Sequence, residues 1–309
     1  MPLNHSRLRV PVAALLGSLL LALAFASAAD AAKTKTVPGG LRVVDGKGKV
    51  MTELTQYTGA GQKVKTDPKA TCFGPGDGGS GATVDIPGPT ALSLLADAGT
   101  TQKAVKPLSI TDAFSFGLGL CGIGKAISPD TGFWSLKVNH EASQAGGDAT
   151  EVEPGDEILW YLVSDFNDPP PAELVLKTKK LKNGKLPLQV LSYDDAGKKS
   201  PAVGAAISGF DGVTDEKGKF TISPEGSKVV DLTATLDGAL PSNEVSVCTV
   251  EAGKCPAGYA GIVGGTKGDD KIKVDTSVTV LCGPGKDTVT VTGQAKIKAK
   301  GCEKVQGVA

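Results

Sequence analysis

Histidine and arginine nearly vanish from this chain once its first residues are set aside. Residues 1–31 contain His5, Arg7 and Arg9; beyond them the 309-residue sequence has one histidine, His140, and one arginine, Arg42. A single imidazole excludes a multi-histidine metal site and leaves one candidate base for a Ser-His or Cys-His pair. A single guanidinium leaves almost no bidentate clamp for phosphate, carboxylate or guanine. An excess of one charge is missing too, since 33 basic residues face 33 acidic ones. Together with the arginine shortage, that balance argues against nucleic acid as a partner. Aromatics are only 5% of the chain and no C-x-x-C occurs, so a thiolate metal or redox site has no support.

Glycine is plentiful, at 41 residues, and 40% of the chain is hydrophobic. That is too apolar for a disordered tail and suits a turn-rich, β-dominated globular protein. Residues 1–31 read as a signal peptide: a basic start, the apolar stretch LLGSLLLALAF, and Ala29-Asp30-Ala31 as a small-x-small cleavage site. No cysteine follows the apolar stretch and no later apolar span is evident. The expectation is a secreted, extracellular protein, associated with the cell envelope, with no transmembrane anchor after cleavage. Its six cysteines, Cys72, Cys121, Cys248, Cys255, Cys282 and Cys302, suit three disulfides, for which about 15 pairings exist. Sequence proximity favours Cys72–Cys121, Cys248–Cys255 and Cys282–Cys302, worth roughly 4, 2.5 and 3 kcal/mol by loop entropy.

The expected fold is multidomain and β-dominated. Residues 32–167 form an α+β domain with a sheet on a helix, 168–171 a Pro-rich linker, 172–260 a β-sandwich, and 261–309 a short solenoid-like repeat tail. In the first domain, LRVVDGKGKVMTEL predicts a hairpin turning at Asp45-Gly46-Lys47-Gly48. Pro89-Thr90 opens a helix over TALSLLADAG, with Leu92, Leu95 and Ala96 on one face and Gly99 as its stop. FWSLKVNH and EILWYLV alternate as strands, the second led by the turn Glu153-Pro154-Gly155-Asp156.

The order TALSLLADAG, GFWSLKVNH, VEPGDEILWYL resembles the transcobalamin-like C-terminal domain of many secreted bacterial proteins. The resemblance implies a small α+β domain with a sheet packed on one helix. In the vertebrate cobalamin carriers the related domain closes over one face of the corrinoid, working with a helical barrel that has no counterpart here. PAVGAAISGFDGVTDEKGKFTISP resembles the immunoglobulin-like modules of bacterial surface proteins, without the Cys and Trp spacing of antibody domains. In the tail, Ile272, Val280, Val289, Ile297 and Val305 recur every 8 or 9 residues, a period that suggests solenoid rungs. GGTKGDDKI and CGPGKDTV there resemble degenerate hemolysin-type calcium-binding repeats.

Several candidate sites follow. Calcium would fall to Asp269, Asp270 and Asp287. However, Val278 occupies the halfway position and Cys282 replaces a glycine, so a metal-free, disulfide-closed solenoid is the preferred expectation. Gly117, Gly119 and Gly122 match G-x-G-x-x-G, but Pro129 and Gly132 deny the helix that a dinucleotide needs. His140 with Ser135 and Glu141 is the one catalytic grouping available, and no local signature supports it. Trp134, Asn139, Trp160 and Tyr161 are the ligand-binding candidates. Trp160 and Tyr161 should face opposite sides of their strand, one ring entering the core and the other free to stack on a flat ligand. The expected function is non-catalytic binding or surface association, without a cofactor, toward a small ligand or envelope component of unknown identity. The alternatives are a structural or adhesive envelope protein without a small ligand, and a corrinoid-binding protein.

Overall fold

The computed structural model describes residues 36–74, 76–226, 229–250 and 254–307. The proposed signal peptide lies outside the described residues. β1 (Val37–Val44) and β2 (Val50–Thr58) form the expected antiparallel hairpin. Asp45 closes it, its Oδ1 accepting from the N–H groups of Lys47 and Lys49 at 2.9 Å each, while Gly48 takes a positive φ of 73°. The same D-x-x-G-K clamp recurs at Asp194–Lys198 and Asp215–Lys219.

The helix α1 spans Ala91–Thr101 and is the sole α-helix among the described residues. Thr90 caps it in a reciprocal box with Ser93, which satisfies two otherwise orphaned donors of the first turn. The helix runs two residues past Gly99, the expected stop. Gly99 serves packing instead: a Cβ there would meet the aliphatic chain of Lys106.

Around β1 and β2 lies an eight-stranded sheet. Strand Glu157–Val163 pairs parallel to β1, and Phe133–Val138 pairs antiparallel to Glu157–Val163. On one side Leu41, Val43, Leu54, Ile158 and Trp160 pack with Leu92, Leu94 and Leu95 of α1. This is the expected sheet on a helix. On the other edge β2 continues into the tail: Thr55 and Gln56 pair parallel with Val263 and Gly264. Strands Thr279–Leu281 and Lys298–Lys300 then extend the same sheet.

The tail is a two-faced parallel coil. Lys271–Val274, Thr288–Val291 and Lys304–Gln306 form its second sheet, in which Ile272 aligns with Val289 and Val289 with Val305. The 8-to-9-residue period is therefore half a turn, alternate segments entering alternate sheets. Ile272, Val280 and Val289 are fully buried between the faces, and Cys282–Cys302 ties successive turns.

Residues 172–248 supply a five-stranded sheet built on Ala172–Thr178 and Leu186–Tyr193, and two short two-stranded sheets. Leu174, Leu176, Leu188, Val190, Ile207 and Leu232 share their core. The protein is thus β-dominated, with several separate sheets. Cys72–Cys121 and Cys248–Cys255 are also bonded, completing the pairing expected from proximity. No helix among the described residues is long and apolar enough to cross a membrane.

Candidate functional site

Strand alternation turns Arg42, Val44, Glu53, Leu159 and Tyr161 away from α1. This second face of the sheet is covered, because Leu240 packs on Val44, Leu159 and Tyr161. Arg42 is buried there. Its guanidinium donates to Glu173 and, at 3.0 Å, to the carbonyl of Pro241. Glu173 also accepts from His140 Nδ1 at 3.2 Å, and His140 Nε2 lies 3.6 Å from Glu157. The imidazole rests against Tyr193 with 4.2 Å between ring centroids. Lys137, wholly buried, pairs with Asp195 at 2.8 Å and sits 5.7 Å over the Tyr161 ring. The chain's one arginine and one histidine after residue 31 are therefore joined in an ion network between the first sheet and the segment that follows it.

A cavity of about 490 Å³ opens beside this network, lined by Arg42, Glu53, Glu157, Glu173 and Glu244 among others. Glu53 stands across the hairpin from Arg42. Burial pushes its carboxyl up to about 7, against the lowering pull of Arg42 and of the Glu244 N–H. Such a group holds a proton near neutrality, as a general acid does. Yet both of its oxygens lie 3.1 Å from the Glu244 N–H, so the carboxyl also anchors the neighbouring segment's main chain.

The ligand-binding candidates are not gathered at any opening. Trp160 and Tyr161 do face opposite sides, but both are buried, at 3% and 1% exposure, as is Trp134 at 7%. The expectation of one exposed ring fails because the second face of the sheet is covered. Asn139 is exposed and clasps a turn, donating to Asp156 at 2.7 Å and accepting from the Glu157 N–H at 2.9 Å. Asn139 and His140 both take positive φ, 50° and 76°, as the two-residue hairpin turn between Val138 and Glu141 requires. Ser135 lies mid-strand opposite Tyr161, away from the His140 ring contacts. The segment Gly119–Ile123 is a strand with Cys121 bonded to Cys72, and a turn follows it rather than a helix.

The tail aspartates are also engaged. Asp270 accepts from the Thr266 N–H at 2.6 Å, Asp287 from the Asp270 N–H at 2.9 Å, and Asp269 from the Lys286 N–H at 2.8 Å. Glu303 continues the ladder by accepting from the Asp287 N–H. Donors aimed at these oxygens oppose a cation, so the residues do not fit a calcium cage. No group of three or more Asp, Glu, His or Cys among the described residues is arranged to hold a metal ion. Burial raises Asp270, and raises Asp287 to about 6.

A second cavity, about 680 Å³, lies on the first region alone. Five lysines line it: Lys47 and Lys49 from the hairpin turn, Lys103 and Lys106 after α1, and Lys125 from the turn following Gly124. Asp45 is the one acid in the lining, while Met51, Ala126, Ile127 and Leu162 supply apolar surface. Sequence reasoning missed this groove because its lysines are dispersed over 79 positions. It missed the Arg42–Glu173 pair because 131 residues separate the partners. The available signal was Glu173 itself, a charged residue opening the apolar strand ELVLKT.

A family profile described as a domain of unknown function, DUF4430, matches residues 119–164. That stretch runs from the strand containing Cys121 through the strand containing Trp160 and Tyr161. No curated protein and no solved structure matches the chain.

Proposed function

We propose that this chain is an exported, non-catalytic binding or surface-associated protein whose recognition part is the transcobalamin-like first region. The observation that carries this reading is the open lysine-lined groove, which belongs to the first region alone. The polar groups best suited to catalysis, by contrast, are tied into the ion network beneath the second segment. Three disulfides suit an oxidising compartment, and the profile match falls within the segment that carries the transcobalamin-like resemblance. The sandwich and the solenoid act as braces and as contacts with envelope or with other copies. Corrinoid stacking on Trp134, Trp160 or Tyr161 is not part of the reading, because those rings are buried.

The test is co-sedimentation of the full oxidised chain with purified cell envelope from the producing organism. Saturable retention is expected, and it persists in His140→Ala if that variant folds. A chain that stays in the supernatant at every concentration contradicts the reading.

A further inference from the structure

We infer that the lysine-lined groove binds an extended acidic polysaccharide, its carboxylates on the lysines and its sugar faces on the apolar floor. This rests on the binding-protein reading above and names the class of ligand. Five lysines against Asp45 leave a surplus of four positive charges in one concavity of a chain whose 33 basic and 33 acidic residues balance overall. Among the described residues none of the five makes an ion pair, whereas Lys63 and Lys137 elsewhere do. Uncompensated like charges repel one another, and an anionic ligand relieves that repulsion and is drawn in by the focused field.

Two of the three lysine-bearing loops are held against each other, and the third is fixed within itself. The Asp45 clamp fixes the turn with Lys47 and Lys49. Lys106 N–H bonds the Lys103 carbonyl at 3.2 Å, and the Lys106 chain lies on Gly99. Gly124, at φ 58°, donates its N–H to the Pro107 carbonyl at 2.8 Å, and a Cβ on it would collide with the Ala104 carbonyl oxygen. Lys125 is thereby pressed beside Lys103 and Lys106 on a frame with little freedom to collapse.

The lining also selects among anions. It contains lysines and no arginine, so it offers point charges that suit spaced carboxylates better than bidentate phosphate clamping. It contains no aromatic ring, so nucleic-acid bases have nothing to stack on. Met51, Ala126, Ile127 and Leu162 provide a floor for the apolar faces of sugar rings, with Ile127 47% exposed.

The experiment is calorimetric titration of the full oxidised chain with alginate oligosaccharides, with carboxyl-reduced alginate and inorganic polyphosphate as further probes. Saturable binding to alginate is expected, weakening as salt rises and absent with the reduced sugar. In Lys103→Ala/Lys125→Ala affinity falls roughly tenfold or more, while Lys177→Ala/Lys199→Ala on the second segment leaves it unchanged. Gly124→Ala, which keeps every charge but parts the loops, also weakens it. Polyphosphate binding as tight as alginate, with the same lysine dependence, overturns the polysaccharide assignment. Absent alginate binding, or equal weakening by the distant lysine pair, overturns the site. If envelope retention survives either result, this inference fails alone; if retention is lost as well, the binding reading falls with it.

Discussion

The first sheet meets its two neighbours through opposite chemistry. Toward residues 172–248 the junction is made by side chains: the ion pairs of Arg42 with Glu173 and Lys137 with Asp195, and the His140 ring between the carboxyls of Glu173 and Glu157. Toward the solenoid it is made largely by main chain, β2 pairing with Ile262–Gly264, helped by the Gln56 amide on the carbonyls of Gly265 and Tyr57. There Asp97 of α1 is pushed up to about 7, first by burial, with Asp270 of the solenoid raising it and Lys267 lowering it. A junction of buried ion pairs depends on every partner being present. A junction of strand pairing tolerates side-chain change, and protonation relieves its buried carboxyls.

The sharpest way to break this contrast is at Arg42. Removing one partner of a buried pair leaves an uncompensated charge, so Arg42→Ala is expected to cost about 3–5 kcal/mol in denaturant unfolding. Arg42→Met combined with Glu173→Leu removes both charges and should recover most of that loss. A double variant as damaged as the single one would show that the junction needs the ions themselves. On the solenoid side, Gln56→Ala strips the donor from two buried carbonyls and should cost about 1–3 kcal/mol, because the strand pairing remains. A larger loss than at Arg42 would reverse the ranking of the two junctions.

The smallest expected effect is with pH. Glu53, Asp97 and Asp287 are all raised, first by burial. A raised carboxyl binds its proton more tightly folded than unfolded, so its stabilisation is full below about pH 4 and declines as pH climbs to about 7. Asp112 and Asp215, lowered by hydrogen bonds, act in the opposite sense below that window. The melting temperature should therefore fall between pH 5 and pH 8, and Asp97→Asn should flatten the slope. An unaltered slope in that variant would remove Asp97 from the account.

Local features were legible in the sequence because short-range chemistry fixes them. Asp45 and Gly48 set the hairpin, Thr90 opens the helix, and the spacing of Ile272, Val280 and Val289 marks the solenoid repeat, though each step of it is half a turn rather than a full rung. Each cysteine found its nearest partner. The junctions were not legible. Strand addition onto β2 runs through backbone groups that every residue carries, so nothing in Thr55 or Gln56 advertises it. The fate of Tyr161 depended on what covers the second face of the sheet, and alternation within one strand cannot reveal that. The lysine groove is assembled from three loops distant in sequence, two of which approach closely because Gly124 leaves room for the Ala104 carbonyl.

The most direct measurement is differential scanning calorimetry of the full oxidised chain beside Arg42→Ala. The described residues, from Thr36 onward, form one compact unit, so the parent chain should unfold in one transition whose calorimetric and van't Hoff enthalpies agree. The variant should split, with residues 172–248 melting apart from the first sheet. Two separate transitions already present in the parent chain would contradict the account, since its segments would then be neighbours rather than one braced body.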